Sequence, residues 1–159
     1  MRNEAMSRNQ ALLTLFANID NLNVSGLESI VGHVGPDGLG VRNQDGETLL
    51  HLAVKSLHPR KVSAVVNAGA DLGAKDNWGL TPLGRARNLL TRTERYYKGA
   101  DRERRMDWLK QIIGSLEAES RRQSENMGAM KRTLYRLNRM REKVAGKPKS
   151  TAERLNAVS

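Results

Sequence analysis

Cysteine is absent from the 159-residue sequence, and aromatic residues are few, with two Trp, three Tyr and one Phe. The lack of cysteine excludes disulfides, thiolate metal sites and a cysteine nucleophile. So few aromatic rings disfavour an extended stacking platform for single-stranded nucleic acid. The apolar runs are all far shorter than the roughly 18 residues of a membrane-spanning helix, so we expect no membrane span. A chain of this length can bury a core without disulfides.

The first ten residues, MRNEAMSRNQ, are polar and lack the apolar core of a secretory signal peptide. Export through the Sec pathway is therefore disfavoured. The expectation is a cytoplasmic protein, or one delivered into another cell by a non-Sec route, and the sequence does not decide between these locations.

Positive charge is concentrated in the second half of the chain. The whole chain carries 27 Lys plus Arg against 17 Asp plus Glu, which gives a net charge of +10. Residues 1–84 hold 7 basic and 8 acidic side chains, whereas residues 85–159 hold 20 basic and 9 acidic ones. This asymmetry predicts an ordinary front module followed by a cationic segment.

Two stretches of sequence repeat with an offset of 33 residues. DGETLLHLA at 45–53 aligns with WGLTPLGRA at 78–86, and GLGVRNQDG at 38–46 aligns with DLGAKDNWG at 71–79. The matched pairs are Gly46 with Gly79, Thr48 with Thr81, Leu50 with Leu83, and Ala53 with Ala86. Because turn-forming, capping and apolar positions agree together, the pattern indicates one duplicated structural unit.

Each unit is predicted to contain two helices. Thr48 can cap a short apolar helix, and Thr81 does the same in the next copy, where Pro82 occupies the first helical position. Residues 60–68 predict a second helix with its valines facing inward, namely Val62, Val65 and Val66. Gly69 suits the left-handed conformation that ends a helix, and a Gly-, Asp- and Asn-rich hairpin follows it.

This arrangement resembles the ankyrin repeat, with a helix start similar to Thr-Pro-Leu-His, a second helix, a Gly-Ala-Asp turn and a hairpin that returns to Gly-x-Thr. The best copy is 43–75. The sequence departs from the family pattern at Leu57, Lys61, Gly84 and Arg85. The resemblance implies an all-α fold, a short ankyrin-type solenoid of stacked helix pairs joined by hairpin loops, plus a long basic C-terminal helix.

The flanking units are degenerate, as expected of the caps of a repeat array. Helices over 9–20 and 25–34 are predicted to form the first pair, followed by a hairpin approach at 35–40. Helices over 82–98 and 101–116 are predicted to form the last pair. The predicted ankyrin-like domain therefore spans 8–118.

Residues 119–145 predict a basic amphipathic helix, and 146–159 a flexible tail. Apolar residues follow one another at alternating spacings of three and four, interrupted by Arg141. The stripe consists of Met127, Met130, Leu134, Leu137 and Val144. Four interpretations stay open: folding back onto the helix stack, self-association through the first four of these residues, binding to an acidic protein, and binding to nucleic acid or an anionic membrane surface.

The sequence contains no pattern typical of an active site, so we expect no enzymatic activity, no cofactor and no metal. No second histidine and no cysteine stands three or four residues from any of the histidines. The ankyrin resemblance gives His51 a structural role in hydrogen bonds between turns. The glycine run at 35–40 lacks the Lys and Ser/Thr of a phosphate-binding loop.

What remains is a recognition surface at the hairpin tips and the exposed side of the first helix of each pair, as the resemblance implies. The predicted partner-binding residues are Gln44, Asp45, Glu47, Lys55, Ser56, Asn77, Trp78, Leu80, Arg85 and Asn88. The predicted basic patch comprises Arg87, Arg92, Arg95, Arg132, Arg136 and Arg139. An exposed Trp78 would be a good anchor for a partner, and its alternative role is packing onto its own hairpin.

Two function hypotheses follow. The first is a non-catalytic protein-binding module, an adaptor or inhibitor that binds a protein partner through the hairpin tips and the concave helix face, with an acidic partner surface as one option. The second is a nucleic-acid-associated protein whose repeats dock a partner while the basic segment 85–145 contacts phosphates.

Overall fold

The computed structural model describes residue 12 and residues 15–145. This part of the chain is all-helical and contains no β-strand, which confirms the predicted class. Residues 15–18 are helical, and the rest of the helix predicted over 9–20 lies largely outside the described residues. Five helices follow: α1 (Val24–Leu39), α2 (Leu49–Lys55), α3 (Pro59–Asn67), α4 (Pro82–Tyr96) and α5 (Gly99–Ala145). None of them is both long and apolar enough to cross a membrane.

Helix α1 is longer than the predicted 25–34. Asn23 caps its start, where the Gly26 amide donates to the Asn23 Oδ1 atom at 2.7 Å. Gly35 has φ 70° and ψ 172°, which breaks the helix, yet helical structure resumes and continues to Leu39. The predicted hairpin approach at 35–40 is therefore wrong. The buried Leu39 side chain draws this segment against the core.

Helices α2 and α3 form the two-helix unit that the sequence predicts. Helix α2 packs against both α3 and α4, and α1 packs against α3. Four of the five apolar residues of α2 are buried in the core, namely Leu49, Leu50, Ala53 and Val54, and Leu52 is partly buried. In α3, Val62 and Val65 are buried as predicted, whereas Val66 is only partly buried. Gly69 follows with φ 93°, the left-handed conformation expected of it.

Lys61 lies in the core although it carries a charge. Its side chain is only 3% exposed. Its ammonium donates to the backbone carbonyl of Ile19 at 2.6 Å and to that of Asp20 at 2.9 Å. These carbonyls follow helical residues 15–18 and would otherwise lack an intrahelical donor. Lys61 therefore stabilises the end of the first helical segment from 42 residues away.

The two hairpin loops have the same hydrogen bonds, 33 residues apart. The Asn43 Oδ1 atom accepts from the amides two and four residues later, at 3.0 and 2.9 Å. The Asp76 Oδ1 atom accepts from the equivalent amides, both at 2.9 Å. Gly46 and Gly79 have φ values of 72° and 75° in the two loops. Local conformation thus repeats with the sequence.

The first hairpin is bonded to the second one. The Asn77 amide donates to the Asp45 carbonyl, and the Asn77 side chain donates to the Gln44 carbonyl, each at 3.0 Å. The Arg42 guanidinium donates to the Lys75 carbonyl. A Cβ atom on Gly46 would lie 2.9 Å from the Asn77 backbone nitrogen, so the close approach of the hairpins requires glycine there.

Helix α4 ends at Tyr96, two residues before the predicted end, and α5 begins at Gly99. The sequence predicts separate helices over 101–116 and 119–145, whereas the structure has one continuous helix. No proline interrupts α5, and its internal glycines keep helical conformation.

The chain divides into two units, one that ends at Glu119 and one that starts at Ser120. In the first unit, α5 buries Leu109, Ile112 and Leu116.

Candidate protein-interaction surface

A buried carboxylate lies at the centre of the charged residues near the hairpins. Glu47 is 1% exposed, which corrects the predicted position of this residue at an exposed tip. Its carboxylate accepts from the Lys55 ammonium at 3.0 and 3.1 Å and from the Arg85 guanidinium at 3.3 Å. The Asn43 amide group donates to the same carboxylate at 3.1 Å. Because a buried charge is costly unless paired, Glu47 is a structural residue.

Arg85 connects Glu47 to the second hairpin. One guanidinium nitrogen, Nη2, lies 2.5 Å from the Asp76 carboxylate and 3.3 Å from that of Glu47. Burial raises the pKa of Asp76, but hydrogen bonds from the Leu80 and Trp78 amides and the Arg85 guanidinium together outweigh it, so the pKa lies below its ordinary value. Asp76 therefore remains an anion that fixes the position of Arg85.

Trp78 occupies the tip of the second hairpin, where 62% of its surface is exposed. Its ring lies under the Arg85 guanidinium, and the Arg85 Cζ atom is 5.0 Å from the ring centroid. This is a cation–π distance. Its amide donates to Asp76 at 2.9 Å. The indole thus packs against Arg85 of its own repeat and still offers a large exposed face, and its role as a partner anchor stays a prediction.

His51 is buried and holds the second hairpin to α2. The Thr48 amide donates to its Nδ1 atom at 3.2 Å. This hydrogen bond assigns the ring proton to Nε2, which donates to the Leu80 carbonyl at 3.0 Å. The structure therefore confirms the predicted structural role of His51.

An open groove of about 740 Å³ runs along the exposed side of α4. Its lining residues recur every three or four positions, so they share one side of the helix. They are Leu80, Gly84, Arg87, Asn88, Thr91, Arg92, Arg95 and Tyr96. The opposite side of α4 contributes Pro82, Ala86 and Thr93 to the interior. We call this feature the arginine groove.

The arginine groove brings together residues from both predicted sets. Leu80 and Asn88 come from the partner-binding set, and Arg87, Arg92 and Arg95 from the basic patch. Arg87 also donates to the Glu117 carboxylate at 2.6 Å. Thr91 and Tyr96 were not predicted, although their helical spacing from Asn88 and Arg92 is a signal that could have identified them.

The remaining predicted residues of the first unit lie outside the arginine groove. Gln44, Asp45 and Asn77 are exposed at the hairpin tips, and Lys55 is exposed on α2. Ser56 is only partly exposed and donates to the Ala53 carbonyl at 2.7 Å. The hairpin tips thus offer polar groups beside the exposed ring of Trp78.

The second unit exposes cations around one aromatic ring. Tyr135 lies among four basic side chains of α5, and the ring and all four cations are exposed. The cations are Lys131, Arg132, Arg136 and Arg139. This set contains the second half of the predicted basic patch. Lys131 and Tyr135 were not predicted as site residues, although one-turn spacing from the arginines indicates them.

Within the described residues, the surface therefore offers guanidinium groups and exposed aromatic rings. Guanidinium groups bind carboxylates, and aromatic rings bind cations and other rings. No family model matches this chain, and no curated protein matches it in sequence.

Proposed function

We propose that this chain is a non-catalytic protein-binding module, an adaptor or inhibitor, built as a short ankyrin-type solenoid over residues 8–118. The repeated hairpin hydrogen bonds support the solenoid, because equivalent groups 33 residues apart make equivalent contacts. Direct bonds from Asn77 to the preceding hairpin support stacking of successive units.

The observation that carries the binding proposal is the arginine groove next to the Trp78 tip. Three guanidinium groups line one side of α4, and Leu80 links that side to the hairpin with the exposed indole. An acidic segment with an apolar or aromatic residue has complementary chemistry. Its carboxylates would bind the arginines, and its apolar residue would cover Trp78.

The test is quantitative affinity capture with the full chain as bait. The two test variants are Trp78→Ala and the charge reversal Arg92→Glu/Arg95→Glu. A partner bound through this surface should lose about 30-fold in affinity with Trp78→Ala, the effect of removing a hot-spot residue. It should lose more with the charge reversal, because two carboxylates would then repel its acidic segment.

Arg102→Glu/Arg104→Glu is the matched control, since it makes the same charge change at exposed positions of α5 outside the arginine groove. Lys55→Glu is unsuitable as a test, because it would place a second carboxylate beside buried Glu47. The proposal is wrong if every captured protein binds the groove variants and the control equally well.

The cationic cluster around Tyr135 favours a second candidate function, binding of nucleic acid. Residues 120–141 contain seven basic side chains and one acidic side chain. Four of these cations surround Tyr135, which offers an exposed ring for stacking. A contact with about four phosphates would give a salt slope of roughly −3.6, that is, about 10²-fold weaker binding at 200 mM than at 50 mM salt.

Fluorescence anisotropy with a labelled 20-base-pair DNA tests this candidate. Changing Arg132, Arg136 and Arg139 to Gln should reduce the salt slope by about one for each arginine. The same change at Arg92 and Arg95 serves as the control for overall charge. Absence of binding at 50 mM salt would exclude the phosphate-contact function.

A further inference from the structure

Between residues 127 and 137, the second unit has an exposed apolar face. Met127, Met130, Leu134 and Leu137 keep between 56% and 74% of their surface exposed. We call these four residues the apolar stripe. Four large apolar side chains on one side of one helix form a contiguous patch, and such patches mark interaction sites.

The spacing within the apolar stripe is that of a two-helix coiled coil. Met127 and Leu134 occupy successive a positions, and Met130 and Leu137 occupy successive d positions of two heptads. The flanking e and g positions are Asn126, Lys131, Thr133 and Asn138. Only one of these four is charged, so each chain contributes a single cation, Lys131, to these flanking positions.

The arginines lie on the far side of this helix. At about 100° per residue, Arg132, Arg136 and Arg139 are about 140–160° around the axis from Leu134. An anionic bilayer that held the apolar stripe would leave these cations directed away from its headgroups. The same separation would keep them clear of an acidic helix-binding groove that is open on one side. In a pair of identical helices, by contrast, they would remain in water on the outside.

We propose that the apolar stripe binds the apolar stripe of a second copy of this chain, and that the two helices run antiparallel. In a parallel pair, the next a position would place Arg141 against Arg141. In the antiparallel pair, Met127 meets Leu137 and Met130 meets Leu134 of the second copy. Arg141 then lies opposite Gln123, and the two like charges are separated.

Analytical ultracentrifugation of the full chain tests the association at loadings from about 1 to 500 μM. The wild-type chain should convert from monomer to dimer across this range. Leu134→Gln should raise the dissociation constant at least 10-fold. Tyr135→Gln is the matched control, because Tyr135 is next to Leu134 in sequence and similarly exposed but lies outside the apolar stripe. This variant should change the dissociation constant less than twofold. Circular dichroism establishes that each variant keeps its helix content.

The orientation is tested with introduced cysteines, because the chain has none of its own. An oxidised mixture of Met127→Cys and Leu137→Cys chains should form the mixed disulfide in excess over either homodimer. Predominant Met127→Cys homodimers would instead show a parallel pair. A wild-type chain that stays monomeric at 500 μM, or equal weakening by Leu134→Gln and Tyr135→Gln, would overturn the proposal.

Discussion

The Arg85 guanidinium lies over the Trp78 ring, 5.0 Å from its centroid, and the two residues belong to the same repeat unit. Asp76 holds both of them, through an ion pair to Arg85 and through an amide hydrogen bond from Trp78. The exposed indole therefore has a defined position. A partner that binds Trp78 would meet a ring whose orientation is fixed before binding, which reduces the entropy lost on association.

We expect Arg85→Met to destabilise the fold by about 3 kcal/mol, because it removes the cation from the Asp76 carboxylate and one of the two cations, Arg85 and Lys55, from that of Glu47. Urea unfolding measures the change. Arg95→Met, which removes an exposed guanidinium from the same helix, should alter the unfolding free energy by less than about 0.5 kcal/mol. Equal stability of the two variants would show that the Arg85 ion pairs contribute nothing.

Acid should weaken the fold through Asp76. Its folded-state pKa is lowered from the ordinary value of 3.8, so the unfolded chain binds the proton more tightly. The stabilisation is fully present above about pH 5 and is lost as pH falls through 3.8 towards the folded pKa. Asp76→Asn should lower stability at pH 7 and flatten this acid limb, as urea unfolding between pH 2.5 and 7 would show. An unchanged acid limb would contradict the assignment.

Local features of the repeat were predictable because they depend on residues close together in sequence. Gly46 and Gly79 are recognisable from their turn sequences, and Thr48 and Thr81 from the helix starts that follow. The role of His51 came from the family resemblance. A fixed offset of 33 residues makes each of these features visible twice.

The buried charges were not predictable from the pattern. A charged residue is expected at the surface because burial removes its hydration. The cost of burying Glu47 is compensated by Asn43 and Lys55 and also by Arg85, which is 38 residues away. Lys61 is buried because carbonyls 41 and 42 residues away accept its hydrogen bonds. Hydropathy and spacing contain no information about such distant partners. The same limit applies to Arg85, which was predicted only as a partner contact and also connects two carboxylates.

The two hairpin glycines should respond differently to a methyl group. Gly79→Ala should cost about 1 kcal/mol, since φ is 75° but no atom lies within 4 Å of the added Cβ. Gly46→Ala should cost at least about 2 kcal/mol more, because its Cβ would also collide with the Asn77 backbone. Thermal unfolding of both variants measures the difference. Equal losses would show that the hairpins can separate without cost.

Lys61→Met should destabilise the fold by about 1–2 kcal/mol, although it replaces a buried charge by an apolar side chain of similar length. The ammonium donates to the Ile19 and Asp20 carbonyls, and a thioether cannot replace those hydrogen bonds. Lys75→Met, at an exposed position, is the control and should have little effect. Urea unfolding with an unchanged m value would assign the loss to the folded state. A Lys61→Met chain more stable than wild type would show instead that burying the ammonium costs more than its two hydrogen bonds return.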